Sequence, residues 1–189
     1  MIKIPTAKGL LAIAAVLTLG ACETFEQMTG QAPPPPPCPA ISFLADASEI
    51  TRFLPGPGRD LTDVVFTAEM ARYAGGCGYD VDDETGRGTL TIEMQVTFAV
   101  RRGPAEKQGQ VALPYFVTVT DQDRNILNKA VMEGSVGFPG NRTTVQFIDA
   151  PVVLDLPIRD GIVGTDYKVF LGFQLTRDEL DFNRQQNPG

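Results

Sequence analysis

The chain has 189 residues, three cysteines, no histidine, no tryptophan and a formal net charge of −7. Without histidine there is no Ser-His-Asp or Cys-His site, no histidine zinc ligand and no imidazole titrating near neutrality. The acidic balance argues against nucleic acid as a partner, and the length fits one domain plus targeting sequence.

Lys3 and Lys8 flank the start of an apolar run of twelve residues, Gly9 to Gly20. A bilayer span needs about 20 residues, so this run has the dimensions of a signal-peptide core and not of a membrane helix. It ends in Leu19-Gly20-Ala21-Cys22. On these residues the N-terminus resembles bacterial lipoproteins, whose lipobox is leucine, a small residue, glycine or alanine, then cysteine. The resemblance implies a signal peptide over residues 1–21, cleavage before Cys22, a diacylglyceryl thioether on its sulfur and a fatty acyl group such as palmitate on its amine. Three acyl chains exceed the two signals that stable anchoring takes. The resemblance also implies a periplasm-facing location. Aspartate after the lipidated cysteine tends to retain enterobacterial lipoproteins in the inner membrane; Glu23 stands there instead and favours the outer membrane. The resemblance covers only the N-terminus and carries no information about activity. Cleavage would remove two lysines and no acids, shifting the net charge from −7 to −9.

Residues 22–40 read as a stalk. Pro33 to Pro37 are consecutive prolines. They favour polyproline II, which is semi-rigid and rises ~3.1 Å per residue, so the path from Cys22 to Cys38 could reach about 50 Å.

From residue 41 to 189 the pattern has period two and predicts one all-β domain. In Gly88 to Arg102, Leu90, Ile92, Met94, Val96, Phe98 and Val100 alternate with mostly polar residues. Only a strand puts those sets on opposite faces. Residues 63–73 alternate too, and further strands are expected at 41–54, 111–120, 126–138, 143–155 and 166–175. Turn clusters separate them, as in PGPGRD (55–60), DDETGRG (82–88), RGPAEKQG (102–109) and DQDRN (121–125). About seven strands at this spacing predict an antiparallel β-sandwich, immunoglobulin-like or related. Pro114, Pro151 and Pro157 should lie on edge strands or at strand starts, because proline cannot donate to a ladder. Thr176 and Glu179 have the spacing of a capping box, which predicts a short C-terminal helix from about Arg177 to Arg184.

Cys38 and Cys77 remain once Cys22 is lipidated, and an oxidising periplasm favours a disulfide between them. If 41–54 and 61–74 form one hairpin around PGPGRD, facing residue numbers add to 115, as Cys38 and Cys77 do. Closing that loop would be worth ~4 kcal/mol in the chain-entropy model.

Candidates for chemistry are sparse. Asp80, Asp82, Asp83 and Glu84 could offer oxygen ligands, as could Asp121, Asp123 and Asn125. Neither stretch has the EF-hand spacing, and both read better as turns, so no metal is expected. Glu69 and Glu93 could act as paired carboxylates only if they converged on a cleft. Arg101, Arg102 and Lys107 form a basic cluster that could contact a phosphate or carboxylate of a partner. No cofactor is expected beyond the lipid on Cys22. These readings describe a membrane-anchored, non-enzymatic lipoprotein serving as an accessory or assembly subunit of an envelope complex, with an envelope protein as partner. A module binding cell-wall glycan or another envelope polymer is the alternative, and a carboxylate-based cell-wall hydrolase a lower one. An exposed edge strand near Pro114 would favour the protein partner.

Overall fold

The computed structural model describes residues 36–159 and 161–186. The signal run, Cys22 and the stalk up to residue 35 lie outside them. Among the described residues nine strands follow in order: β1 Ala40–Phe43, β2 Glu49–Phe53, β3 Val64–Val81, β4 Gly88–Arg102, β5 Gln110–Thr120, β6 Ile126–Gly137, β7 Thr144–Ile148, β8 Val152–Ile158 and β9 Lys168–Phe173. Among the described residues one α-helix, α1, spans Arg177–Gln186. The strands form two sheets, β1-β9-β5-β6 and β2-β3-β4-β7, with β8 also paired to β4. All pairings are antiparallel except β1 with β9. This is the expected β-sandwich with a short C-terminal helix.

The alternating residues build the core between the sheets. Leu90, Ile92, Met94, Val96, Phe98 and Val100 of β4 are all buried, as are Val111, Leu113, Tyr115, Val117 and Val119 of β5. Phe98 is central, with ring centroids 5.1 Å from Tyr115 and 5.7 Å from Phe173. It thereby joins β4 of one sheet to β5 and β9 of the other.

Two of the expected strands are each two. The 41–54 segment turns through a short 3-10 helix at Ala45–Ala47, so β1 joins one sheet and β2 the other. The 143–155 segment breaks at residues 149–151, where Asp149 accepts the Ala150 N–H and Pro151 brings no N–H. β7 and β8 then lie end to end along β4.

The 41–54/61–74 hairpin exists only in part. Glu49 faces Glu69 and Arg52 faces Phe66, so facing numbers add to 118. The register that predicted the disulfide is therefore wrong, yet the disulfide is present, with Cα atoms 5.8 Å apart. A bulge explains this. Met70 faces Phe98 but Arg72 faces Thr97, which leaves Ala71 unpaired. Even-numbered residues point inward before the bulge and odd-numbered ones after it. Cys77 is thereby turned to the inner face, opposite buried Ile92.

Pro114 lies in β5, an interior strand and not an edge. It is tolerated because of its position. Its carbonyl accepts the Gln174 N–H at 2.9 Å, one residue beyond the end of β9. Its nitrogen faces that same side, where the ladder is ending, so one donor is lost at a terminus. Pro157 lies on β8, an edge strand, and Pro151 immediately precedes it.

The helix carries the predicted capping box. Thr176 N–H donates to Glu179 Oε2 at 2.8 Å, and Glu179 N–H to Thr176 Oγ1 at 3.3 Å. Its buried residues are polar, Glu179 and Asn183. Glu179 pairs with Arg52 Nε at 2.5 Å, and Asn183 Nδ2 donates to the carbonyls of Asp46 and Glu49 at 3.0 and 2.8 Å. Phe182 is half-buried, edge-on to Phe53 at 5.2 Å.

Candidate functional site

The three basic residues do not form one patch. Arg101 and Arg102 are neighbours on a strand and so point to opposite faces. Arg101 is exposed on the outer face of β4. Arg102 Nε pairs with Glu106 Oε2 at 2.7 Å, and Glu106 is buried. Glu106 also accepts the backbone N–H groups of Gln108 and of Gly109, the latter at 2.7 Å. The arginine and the acid together fold the β4–β5 loop, and that use was missed in the sequence. Arg102 and Glu106 have an i,i+4 spacing, but nothing in a turn-rich stretch marks the acid as buried. Lys107 Nζ donates to the Pro104 carbonyl at 2.9 Å on the exposed side of the loop.

The acidic turns are bonded internally. Asp82 Oδ1 accepts Thr85 Oγ1–H at 2.7 Å and Thr85 N–H at 2.8 Å, and these two bonds hold its carboxyl below the ordinary range. Asp121 accepts the Asn125 side chain and backbone N–H, both at 2.8 Å, and its carboxyl is lowered chiefly by the Asn125 side chain. Among the described residues, no group of three or more acids or cysteines is placed to hold a metal ion.

Glu69 and Glu93 are exposed on the outer face of the same sheet. Glu69 faces Ala99, six residues along β4 from Glu93. That separation is about 20 Å at strand rise, against ~5–9.5 Å for carboxyl pairs that flank one glycosidic bond. The two do not converge.

Tyr115 and Asp149 do meet. The Tyr115 hydroxyl donates to Asp149 Oδ2 at 2.8 Å, linking β5 of one sheet to the β7–β8 corner of the other. Tyr115 is 1% exposed, so this pair braces the fold and offers no groove.

The edge of β6 is different. β6 is twelve residues long and ends its sheet. Ile126, Leu127 and Val131 are 66%, 52% and 57% exposed on it. The direction of its backbone groups follows from Pro114. Pro114 turns its carbonyl to Gln174 on the β9 side. Its partner across the β5–β6 ladder is Glu133, whose N–H and C=O must therefore point away from β5. The ladder is regular here, so Lys129, Val131 and Ser135 point the same way. No described residue hydrogen-bonds these backbone groups. On the outer face of the sheet, Lys129 Nζ lies 4.3 Å from the Phe116 ring centroid and donates to Gln174 Oε1 at 3.1 Å. Glu133 is exposed.

No protein-family model matches the sequence, and no curated protein is significantly similar to it. Among solved structures the chain is similar to the Streptococcus agalactiae AgI/II polypeptide BspA variable (V) domain, at 11% identity over 70% of this chain and 75% of that one, with a TM-score of 0.18. A likeness at that TM-score supports neither fold nor function; the fold rests on the strand pairing itself.

Proposed function

We propose that this chain is a lipid-anchored, periplasm-facing envelope protein, favouring the outer membrane, whose sandwich works by holding a protein partner and not by catalysis. The open edge of β6 carries the reading. It presents a row of outward backbone donors and acceptors at Lys129, Val131, Glu133 and Ser135, beside exposed Ile126, Leu127 and Val131. An edge of this length is a template for strand addition, in which main-chain bonds supply affinity and alternate side chains supply selectivity. Pro114 lies not on this edge but on the neighbouring interior strand β5, opposite Glu133. The lipobox residues Leu19 to Cys22 support the anchor, and the acidic charge suits a domain held off an anionic surface.

The test is crosslinking in intact cells, followed by mass spectrometry, of the native chain and of Val131→Pro. Proline at 131 removes an outward donor and leaves the β5 ladder intact. The native chain should yield protein adducts through β6, and the variant should lose them. Adducts composed only of cell-wall fragments would overturn the proposal.

A further inference from the structure

We infer that the strand received by the β6 edge is β6 of a second copy of this chain, paired antiparallel about a twofold axis at Val131. The inference rests on the reading of that edge as a docking element, and it names the occupant. It comes from where the two charges of β6 stand. Ile126–Gly137 contains one cation, Lys129, and one anion, Glu133, four residues apart. Both lie on the outer face of the sheet, with Val131 between them, and the ladder through this stretch has no bulge.

Antiparallel self-pairing allows only registers that a twofold axis can generate. With the axis at Val131, Lys129 of each copy faces Glu133 of the other, and two opposite-charge pairs form. With the axis at Lys129 two ammonium groups face each other, and at Glu133 two carboxylates do. Directly opposed like charges destabilise a strand pair, whereas opposite charges stabilise it. The strand thus complements itself with the axis at Val131, repels itself with the axis at Lys129 or Glu133, and sets each charge against an uncharged residue with the axis at Ala130 or Met132. A lone lysine on an edge normally blunts pairing; Glu133 converts that lysine into a match for a second copy.

The backbone permits this pairing. Lys129, Val131 and Glu133 are the residues whose N–H and C=O point to the open edge. In the Val131 register these same residues face one another, so each facing pair is a hydrogen-bonded one; axes at Ala130 and Met132 allow the same bonding, and the charges choose among the three. On the inner face Ala130 would face Met132 of the second copy, and Asn128 would face Gly134, with no charge among them. In the single chain the Lys129 ammonium lies over Phe116 and donates to Gln174, on the β5 side; to meet Glu133 of the second copy the side chain exchanges that contact for the carboxylate across the edge. The product is a continuous sheet through both copies, β1-β9-β5-β6 followed by its symmetry mate, with both β6 edges closed.

The test uses charge reversal in the full chain, expressed in cells as two differently tagged copies and read by crosslinked co-capture of one tag with the other. Native copies should co-capture. Two Lys129→Glu copies place glutamate against Glu133 twice, and two Glu133→Lys copies place lysine against Lys129 twice. Each should lower co-capture by about tenfold or more. A Lys129→Glu copy mixed with a Glu133→Lys copy restores both opposite-charge pairs and should restore co-capture. That recovery would also show that neither variant had merely failed to fold. The inference is overturned if native copies do not co-capture, if the single reversals leave co-capture unchanged, or if the mixture fails to recover. Should β6 crosslink a different protein and never its own copy, the second-copy inference falls while the docking reading stands. Should it crosslink no protein at all, both fall.

Discussion

Cys38 and Cys77 are bonded although no ladder places them opposite each other. Cys38 precedes β1, which belongs to the sheet that β3 does not join. Two tyrosine hydroxyls flank the bridge: Tyr79 donates to the Pro37 carbonyl at 2.6 Å and Tyr73 to the Ile41 carbonyl at 3.1 Å. With Cys77 they line the inner side of β3 beyond its bulge. The bridge thus fastens the entry of the chain to the long strand of the opposite sheet. It closes a loop with a sequence separation of 39. Cys77→Ser should cost about 3–4 kcal/mol of unfolding free energy in the chain-entropy account. Denaturant titration of native and variant chains, with and without reductant, measures it, and the reduced native chain should match the variant.

Three tyrosines should make the fold sensitive to alkali. Burial pushes the Tyr115 hydroxyl well above its ordinary value of 10.0, and donation to Asp149 pushes it further. Burial also raises Tyr79 and Tyr167. A raised group keeps its proton when folded at pH values where the unfolded chain has released it. Stability from these groups is therefore complete below about pH 10 and falls as pH rises from there towards the folded-state values. Tyr115→Phe should cost about 2 kcal/mol at neutral pH through the lost bond to a carboxylate, and should make the alkaline decline shallower. Melting temperature as a function of pH, in native and variant chains, checks both signs.

Much of this was legible because strand burial has a short period. The inward residues of β4 and β5, the turn clusters and the Thr176–Glu179 cap are local patterns, and each leaves its mark within a few residues. The chain's sheet switch at residues 44–48 left none: Leu44 and Ala47 continue an apolar tone through it. The bulge at Ala71 also left no mark, because Gly75, Gly76 and Gly78 weaken the alternation that would have shown a change of phase. Pro114 was misplaced because proline excludes a donor and not a strand position, and the end of β9 supplies a place needing no donor. The basic cluster failed for a geometric reason, since consecutive strand residues cannot share a face. Glu106 and Asn183 are polar residues buried by long-range partners, which no local pattern reports.

Neighbouring glycines in β3 should respond differently to alanine. A Cβ on Gly75 would lie 2.1 Å from the Glu93 carbonyl oxygen and 2.7 Å from Met94 Cα, both backbone atoms of β4. A Cβ on Gly76 would meet nothing within 4 Å. Gly75→Ala should destabilise by more than ~2 kcal/mol through forced separation of β3 from β4. Gly76→Ala should be neutral or stabilising by up to ~1 kcal/mol. Paired denaturant titrations decide it.

Asn183 holds α1 to β2 and to the 3-10 turn through two backbone carbonyls. Asn183→Ala leaves both carbonyls in a part-buried site and should cost about 2 kcal/mol. Hydrogen exchange should show the loss concentrated in α1 and residues 45–53, with β4 and β5 protected as before.

The claim that the β6 edge is the working surface is tested most directly by position. A photo-crosslinking side chain can be placed at Leu127 or Val131 on β6, or at Val153, which is equally exposed at 57% but lies on the other sheet. In intact cells the β6 positions should give discrete protein adducts, including one at twice the mass of the chain, and Val153 should give none. Equal adducts at Val153, or none at Leu127 and Val131, would contradict the account.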